Sequence, residues 1–480
     1  MKQHEHNLLE NAYKAVEENR QNIEQDPYRL HYHLMPPVGL LNDPNGFIHF
    51  RGLYHLFYQW NPFETAHGAK FWGHYTSPDM VNWTHEPIAL APSEWYEKNG
   101  CYSGSAVEHE GKMVLFYTGN VKNEHGERET YQCMAISEDG FTFEKKGPVV
   151  HLPEGYTAHF RDPKVWKQEN KWYMVLGAQD LNEQGKAVLY TSDNLIDWEF
   201  LGPIAGADMN GLGSFGYMWE CPDLFELDGK EVLLLSPQGL EPEGYLYQNI
   251  YQSGYFVGKM EYETPEFSHR EFIEIDRGFD FYAPQTTLDT KGRRLLFAWM
   301  GITDENEKFQ PTIKSGWVHA MTLPRELTLK GDKLYQQPVE ELQQLRKEEV
   351  FLPNTKISTS NQTLENVNGT SIELEITIIK NDAETFEISF RDAASMVYSK
   401  HEKRLSLHRK KFTGDAIESR HCHVEDLHQL QVFLDTSSIE IFVNGGAEVF
   451  TARFFPSETN QTILFSAEGN VMFDVKKWKL

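Results

Sequence analysis

Cysteine is scarce in this 480-residue chain, with four in all. Cys101, Cys133, Cys221 and Cys422 lie far apart with no CxxC spacing, which fits reduced thiols better than a disulfide framework. Basic residues are few beside acidic ones, 45 against 71, for a net charge of −26. Nothing offsets that repulsion toward nucleic acid or an anionic membrane, so neither is expected as a partner. No stretch is long and apolar enough to span a bilayer, and the first thirty residues lack the apolar core of a secretory signal. A cytoplasmic protein is the expectation. HExxH and a carboxylate-rich calcium loop are also missing, so a metal-dependent reading would have to draw on His31 and His33, more simply read as strand packing, or on the acids Asp43, Asp162 and Glu220. No cofactor or metal is expected.

Helical periodicity is nearly absent from Leu40 to Gln337, which excludes a parallel α/β barrel. What stands there instead is a repeat. A polar turn followed by an apolar, aromatic strand recurs at Gly52, Gly111, Asn170, Gly229 and Gly292. The spacings are 111 − 52 = 59, 170 − 111 = 59, 229 − 170 = 59 and 292 − 229 = 63. A serine six residues before an aromatic follows three of these strands, Ser77 to Trp83, Ser137 to Phe143 and Ser192 to Trp198. Short strands between Gly, Asn and Asp turns, several per repeat, describe a propeller blade. The predicted fold is all-β, a five-bladed β-propeller over 31–337 followed by a C-terminal β-sandwich over 355–480, where strands alternate and Asn444-Gly445 marks a hairpin. An N-terminal helical extension is expected within 1–30, where Leu8, Leu9, Ala12, Val16 and Ile23 recur at near-helical spacing. A linker helix is expected over 338–354.

Three blades place an acid at a similar offset before the turn: Asp43 nine residues before Gly52, Asp162 eight before Asn170, Glu220 nine before Gly229. Equivalent positions of a radial repeat converge, so these acids are expected at one spot. Proline after Asp43 and Asp162 holds both extended. Converging carboxylates cannot all ionise cheaply, and a split into one charged and one protonated acid is what glycosidic cleavage requires. Trp219 beside Glu220 predicts Glu220 as the raised acid, and Arg161 beside Asp162 predicts Asp162 as the charged one. Trp60, Trp72, Trp219 and Trp299 suit sugar faces or the core.

NDPNG at 42–46, FYQWNP at 57–62, WGH at 72–74, YSGSA at 102–106, FRDPKVW at 160–166, WECPDLF at 219–225, FYAPQ at 281–285 and GWVHAMTLPREL at 316–327 resemble glycoside hydrolase family 32 over nearly the whole chain. The resemblance is closest to its bacterial intracellular members that cleave sucrose 6-phosphate. It implies retention of configuration and release of fructose from a β-fructofuranosyl end, with Asp43 as nucleophile, Glu220 as acid and base, and Asp162 as a carboxylate on fructose hydroxyls. Asn42, Gln59, Trp72, Ser103, Arg161 and Tyr282 fall on motif positions that line the fructose pocket. FETAHGAK stands where some members carry a rim tryptophan, and there His67 and Lys70 are candidates for a phosphate on the leaving-group side, or a solvated loop. Three other readings stand beside this one. They are an invertase or exo-acting fructan hydrolase indifferent to phosphate, an inverting arabinanase-like propeller, and a non-catalytic sugar-binding propeller. The expected partner is a small sugar, sucrose 6-phosphate or sucrose, and the chain is read as monomer or homodimer.

Overall fold

In the computed structural model, which describes residues 2–358 and 361–480, five antiparallel sheets form the blades and two more form the C-terminal domain. The first strands of the blades are Gly39–Phe50, Cys101–His109, Tyr156–Gln168, Met218–Leu227 and Tyr282–Leu288. Each touches the next, and the fifth touches the first, so the ring is closed. The repeat follows from local chemistry. Arg51-Gly52, Glu110-Gly111, Glu169-Asn170 and Asp228-Gly229 form the two-residue turns between first and second strands, with the first residue of each pair at positive φ. The serine-to-aromatic signature is a second turn. Asp79 and Asp139 accept backbone N–H groups two and three residues on, as does Asn194. Met80, Gly140 and Leu195 take the left-handed conformation at the same place in it.

The ring is sealed by a return. Trp317–Val318, after the fifth blade has begun, pairs in parallel with Gly39 and Leu40 of the first. The helix Lys2–Glu24 lies against this seam. Ala12 and Ile23 are buried in the apolar cluster that holds Trp60 and Trp317, and the Trp317 indole donates to Asp26 at 2.7 Å.

A six-stranded and a five-stranded sheet pack face to face around a separate apolar core. The expected linker helix is a correction. Over 338–354 the chain makes a short 3₁₀ helix, Glu340–Leu345, and then enters the strand Lys347–Ile357, which pairs with Val471–Lys479. The alternation of Val350 and Leu352 against the sandwich core outweighs the helical propensity of the preceding glutamates and glutamines. The two domains share backbone bonds, Arg277 N–H to Val449 O at 2.7 Å and Phe279 N–H to Thr451 O at 2.9 Å. They also share a buried ionic knot. Arg325 bonds Asp276, Glu440 and Thr451, while His33 bridges Asp435 at 3.0 Å and Glu440 at 3.1 Å. His33 therefore serves the domain junction.

Candidate active site

Every blade slips register by one residue between its first two strands: between Leu41 and Pro44, Cys101 and Gly104, Arg161 and Lys164, Glu220 and Asp223, and Tyr282 and Gln285. The extra residue in each is a β-bulge, which re-aims side chains toward the axis. Asp162, Cys221 and Ala283 sit in these bulges at φ of 66°, 49° and 50°, a strain of about 1–3 kcal/mol each that the surrounding ring holds in place. The extended backbone expected of Asp162 from its proline is thus corrected, because the bulge imposes a left-handed conformation there. The acids are therefore staggered around the bulge and do not share one repeat position. Asp43 is the second bulge residue of its blade, Asp162 the first of its own, and Glu220 directly precedes one. Counting from the turn hid this, because a second register shift lies between Asn45 and Ile48.

All three acids nonetheless line one cavity of about 520 Å³ at the axis, together with Asn42, Gln59, Ser103, Arg161 and Tyr282, and with His67 and Lys70. Below it the axis is plugged. Lys164 and Asp223 pair at 3.0 Å, and a void of about 10 Å³ lies among the bulge prolines, room for about one water.

Each carboxylate has a distinct setting. Asp43 accepts from Ser103 Oγ at 2.6 Å and from Asn42 Nδ2 at 3.1 Å. Glu220 accepts from Arg161 Nε at 3.0 Å and again from Nη2, from Gln238 Nε2 at 2.7 Å and from Tyr282 Oη at 2.6 Å. Asp162 accepts the Cys221 N–H at 3.0 Å and lies 4.0 Å from Arg161 Nε. The Cys221 sulfur stands between Asp43 and Asp162, at 3.8 and 3.6 Å.

Here the expected charge split is reversed. Burial pushes the Asp162 carboxyl up to about 7, helped by Glu220 and Asp43 and opposed by Arg161. Burial acts on Glu220 too, but the Arg161 charge and the Tyr282 and Arg161 hydrogen bonds outweigh it and hold Glu220 below the usual glutamate range. The reason is directional. Arg161 extends across to the neighbouring blade and grips Glu220, and Trp219 turns away into the core between blades three and four, its indole donating to Phe215.

Trp72 is also corrected. It is fully buried beneath the cavity wall, donating to Tyr102 O at 3.1 Å, and does not line the pocket. Trp60 is likewise core, and of the four tryptophans considered Trp299 alone is among the lining residues. Lys70 is buried, donating to Asn42 Oδ1 at 2.7 Å and lying 3.1 Å from His67 Nδ1, and desolvation drops its ammonium to about 7. His67 is tied in turn to Glu307 at 3.1 Å and Thr303. This chain of bonds ends on Asp43, so Lys70 supports the Asp43 side of the cavity from behind.

Several lining residues went unread in the sequence. Gln238 belongs to a pattern that was available: an amide stands nine residues after the turn residue in four blades, at Asn61, Asn120, Gln179 and Gln238. Asn120 and Gln238 line the cavity, while Asn61 and Gln179 bind backbone carbonyls nearby. Lys122 and Arg128 also line it, from the mouth of blade two.

The N-terminal domain of the glycosyl hydrolases family 32 matches residues 33–338 and the C-terminal domain of that family matches 341–479. The chain belongs to glycosyl hydrolase family 32. It is a glycosidase by membership, with the five-bladed propeller and β-sandwich of that fold. Among curated relatives it is 55% identical to the sucrose-6-phosphate hydrolase of Bacillus subtilis, over the full length of both chains. It is 37% identical to the raffinose invertase of Escherichia coli, covering 94% of each. Among solved structures, the sucrose-6-phosphate hydrolase of Lactobacillus gasseri superposes with a TM-score of 0.88 at 33% identity, covering 98% of this chain and 96% of that one. A Bombyx mori β-fructofuranosidase variant solved with sucrose gives 0.87 at 34% identity, with 98% and 97% covered.

Proposed function

We propose that this family 32 enzyme is a retaining β-fructofuranosidase that cleaves sucrose 6-phosphate, and sucrose more slowly, releasing fructose. The carrying observation is the shared axial cavity of Asp43, Asp162 and Glu220, together with full-length identity to an enzyme named for that substrate. Asp43, oriented by Ser103 and Asn42, attacks the anomeric carbon of the fructosyl unit. Glu220 gives its proton to the departing glucosyl oxygen, so the C–O bond breaks with a neutral leaving group and a fructosyl–Asp43 ester forms. Water then attacks that carbon, Glu220 takes its proton, and the Asp43 carboxylate is regenerated.

Glu220 must enter this cycle protonated. Among the protein's own groups the proton is favoured on Asp162, because Arg161 and Tyr282 keep Glu220 charged. Fructose hydroxyls that engage Arg161, Tyr282 and Asp162 reverse that preference and deliver the proton where the leaving oxygen lies. Asn42, Gln59, Ser103 and Arg161 hold the sugar. The enzyme acts in the cytoplasm as monomer or homodimer, the propeller supplying the chemistry and the sandwich a brace.

The test is kcat/KM on sucrose 6-phosphate against sucrose, with the product anomer followed by NMR from the first turnover. Preference for the phosphorylated sugar and first-formed β-fructofuranose are expected. Equal efficiency would favour an invertase, an inverted product an arabinanase-like mechanism, and no release of sugar a binding propeller.

A further inference from the structure

Four cations line the active cavity, Lys70, Lys122, Arg128 and Arg161. Two are engaged within the site: Arg161 holds Glu220, and Lys70 is buried under Asn42. The other two are not. Lys122 and Arg128 stand directly opposite each other, ending the strand Lys112–Lys122 and opening the strand Arg128–Ser137. Like charges facing across an antiparallel pair repel. Among the described residues neither makes an ion pair, in a chain with 71 acidic side chains. Two uncompensated cations held side by side on the wall of a cavity are the electrostatic complement of an anion.

Their backbone position is fixed. The Lys122 N–H donates to Asn99 Oδ1 at 2.7 Å, and Asn99 itself lines the cavity. Arg128 Nη1 lies 3.5 Å from His159 Nδ1, to which Arg161 Nη1 also comes within 3.0 Å. His159 Nδ1 must be unprotonated to accept from Arg161, and burial with both arginines depresses its ring to about 4. Arg128, His159, Arg161 and Glu220 thus form one line. Lys70 lies on the other line, through Asn42 to Asp43. The sugar that departs does so from the oxygen that Glu220 protonates, so it extends along the first line.

We propose that Lys122 and Arg128 seat the phosphate of the departing glucosyl unit, making blade two the specificity element for phosphomonoester sugars. His67 and Lys70, the candidates from sequence, are thereby assigned to the nucleophile side. The planar Arg128 fork and the mobile Lys122 ammonium together meet a dianion of about −1.5 to −2 charge. This inference rests on the reading of a phosphorylated substrate.

The experiment measures kcat/KM on sucrose 6-phosphate and sucrose for the wild-type enzyme, Lys122→Ala, Arg128→Ala and the double variant. It also measures inhibition of sucrose cleavage by glucose 6-phosphate. Each single substitution is expected to lower the ratio of the two efficiencies by about tenfold or more, through KM, as loss of one charge-assisted bond implies. Arg128→Lys should restore part of the ratio, and the double variant should bind glucose 6-phosphate about a hundredfold more weakly. If the wild type prefers the phosphorylated sugar and the variants keep that preference and the same inhibition constant, the phosphate sits elsewhere and the assignment falls while the function stands. If the wild type shows no preference, the substrate reading falls instead. In that case an unaltered inhibition constant for glucose 6-phosphate overturns this assignment separately, and a weakened one upholds it.

Discussion

Arg161 is the chain neighbour of Asp162, yet its guanidinium bonds Glu220, 59 positions away in the next blade. That single choice of partner sets the charge state of the resting site. Removing it with Arg161→Ala should let burial raise the Glu220 carboxyl, because desolvation is the largest influence on that group. The alkaline limb of the kcat/KM profile, where the general acid loses its proton, should move to higher pH, and efficiency should drop by about two to three orders of magnitude as sugar contacts are also lost. A pH series on the purified variant checks both.

Asp43→Asn and Glu220→Gln should fold normally and lose nearly all hydrolysis, since each removes a group that forms or breaks a bond in the cycle. Circular dichroism and a sucrose assay settle this. Retention of more than roughly a tenth of the rate by either would refute the assigned roles, because acid assistance alone is typically worth about 10²–10⁴.

Asp162 links catalysis to stability. Its folded pKa of about 7 lies above the ordinary aspartate value of 3.8, so the folded state binds a proton more tightly than the unfolded one between those values. Stability from this group is complete below about pH 4 and is lost as pH rises through 7. Asp162→Asn should therefore raise Tm by a few degrees at pH 8 and by less at pH 5, while destroying activity. In the wild type, kcat/KM should fall above about pH 7 as the cluster gives up its proton. Thermal melts at the two pH values and a rate profile measure the pair of effects.

The knot at the domain junction should respond in the opposite sense to a carboxylate pair. Burial opposes the charge on His33, but bonds to Asp435 and Glu440 prevail and raise its pKa above the usual histidine value. This contribution is present below about pH 6.5 and fades as pH climbs through the raised value. Glu440→Ala leaves Arg325 and His33 buried and underpaired, and should cost about 3–5 kcal/mol. Urea unfolding curves at pH 6 and pH 9 would report it, with a smaller difference between wild type and His33→Gln at pH 9.

Thiol chemistry should be silent. Burial and the neighbouring Asp162 and Asp43 charges push the Cys221 thiol well up, although its sulfur lies between two acids of the site. Without thiolate there is no nucleophile, so iodoacetamide at pH 7 should leave activity intact over hours. Time-dependent inactivation protected by fructose would contradict this.

Much of the fold was written in the sequence because its signals are local. Gly52 and Gly111 need only their own turn, and the Ser77 to Trp83 signature needs only seven residues. The convergence of Asp43, Asp162 and Glu220 was legible too, since a repeat carries spatial information along the chain. What stayed hidden depends on where long side chains reach. Sequence adjacency suggested that Arg161 serves Asp162 and that Trp219 dries Glu220, but both point to other partners. Trp72 carries a motif and supports the wall from inside it. The strand Lys347–Ile357 resembled a helix until a partner strand from the far C-terminus was available to pair with it.

The return strand has a consequence for biosynthesis. Gly39 and Leu40, four and three residues before Asp43, acquire their outer neighbour only from Trp317 and Val318. A ribosome delivers the Asp43 strand among the first fifty residues and its closing partner some 278 residues later, by the difference 317 − 39. The ring should therefore stay unsealed until that return is made, and activity is expected to switch on abruptly rather than accrue blade by blade.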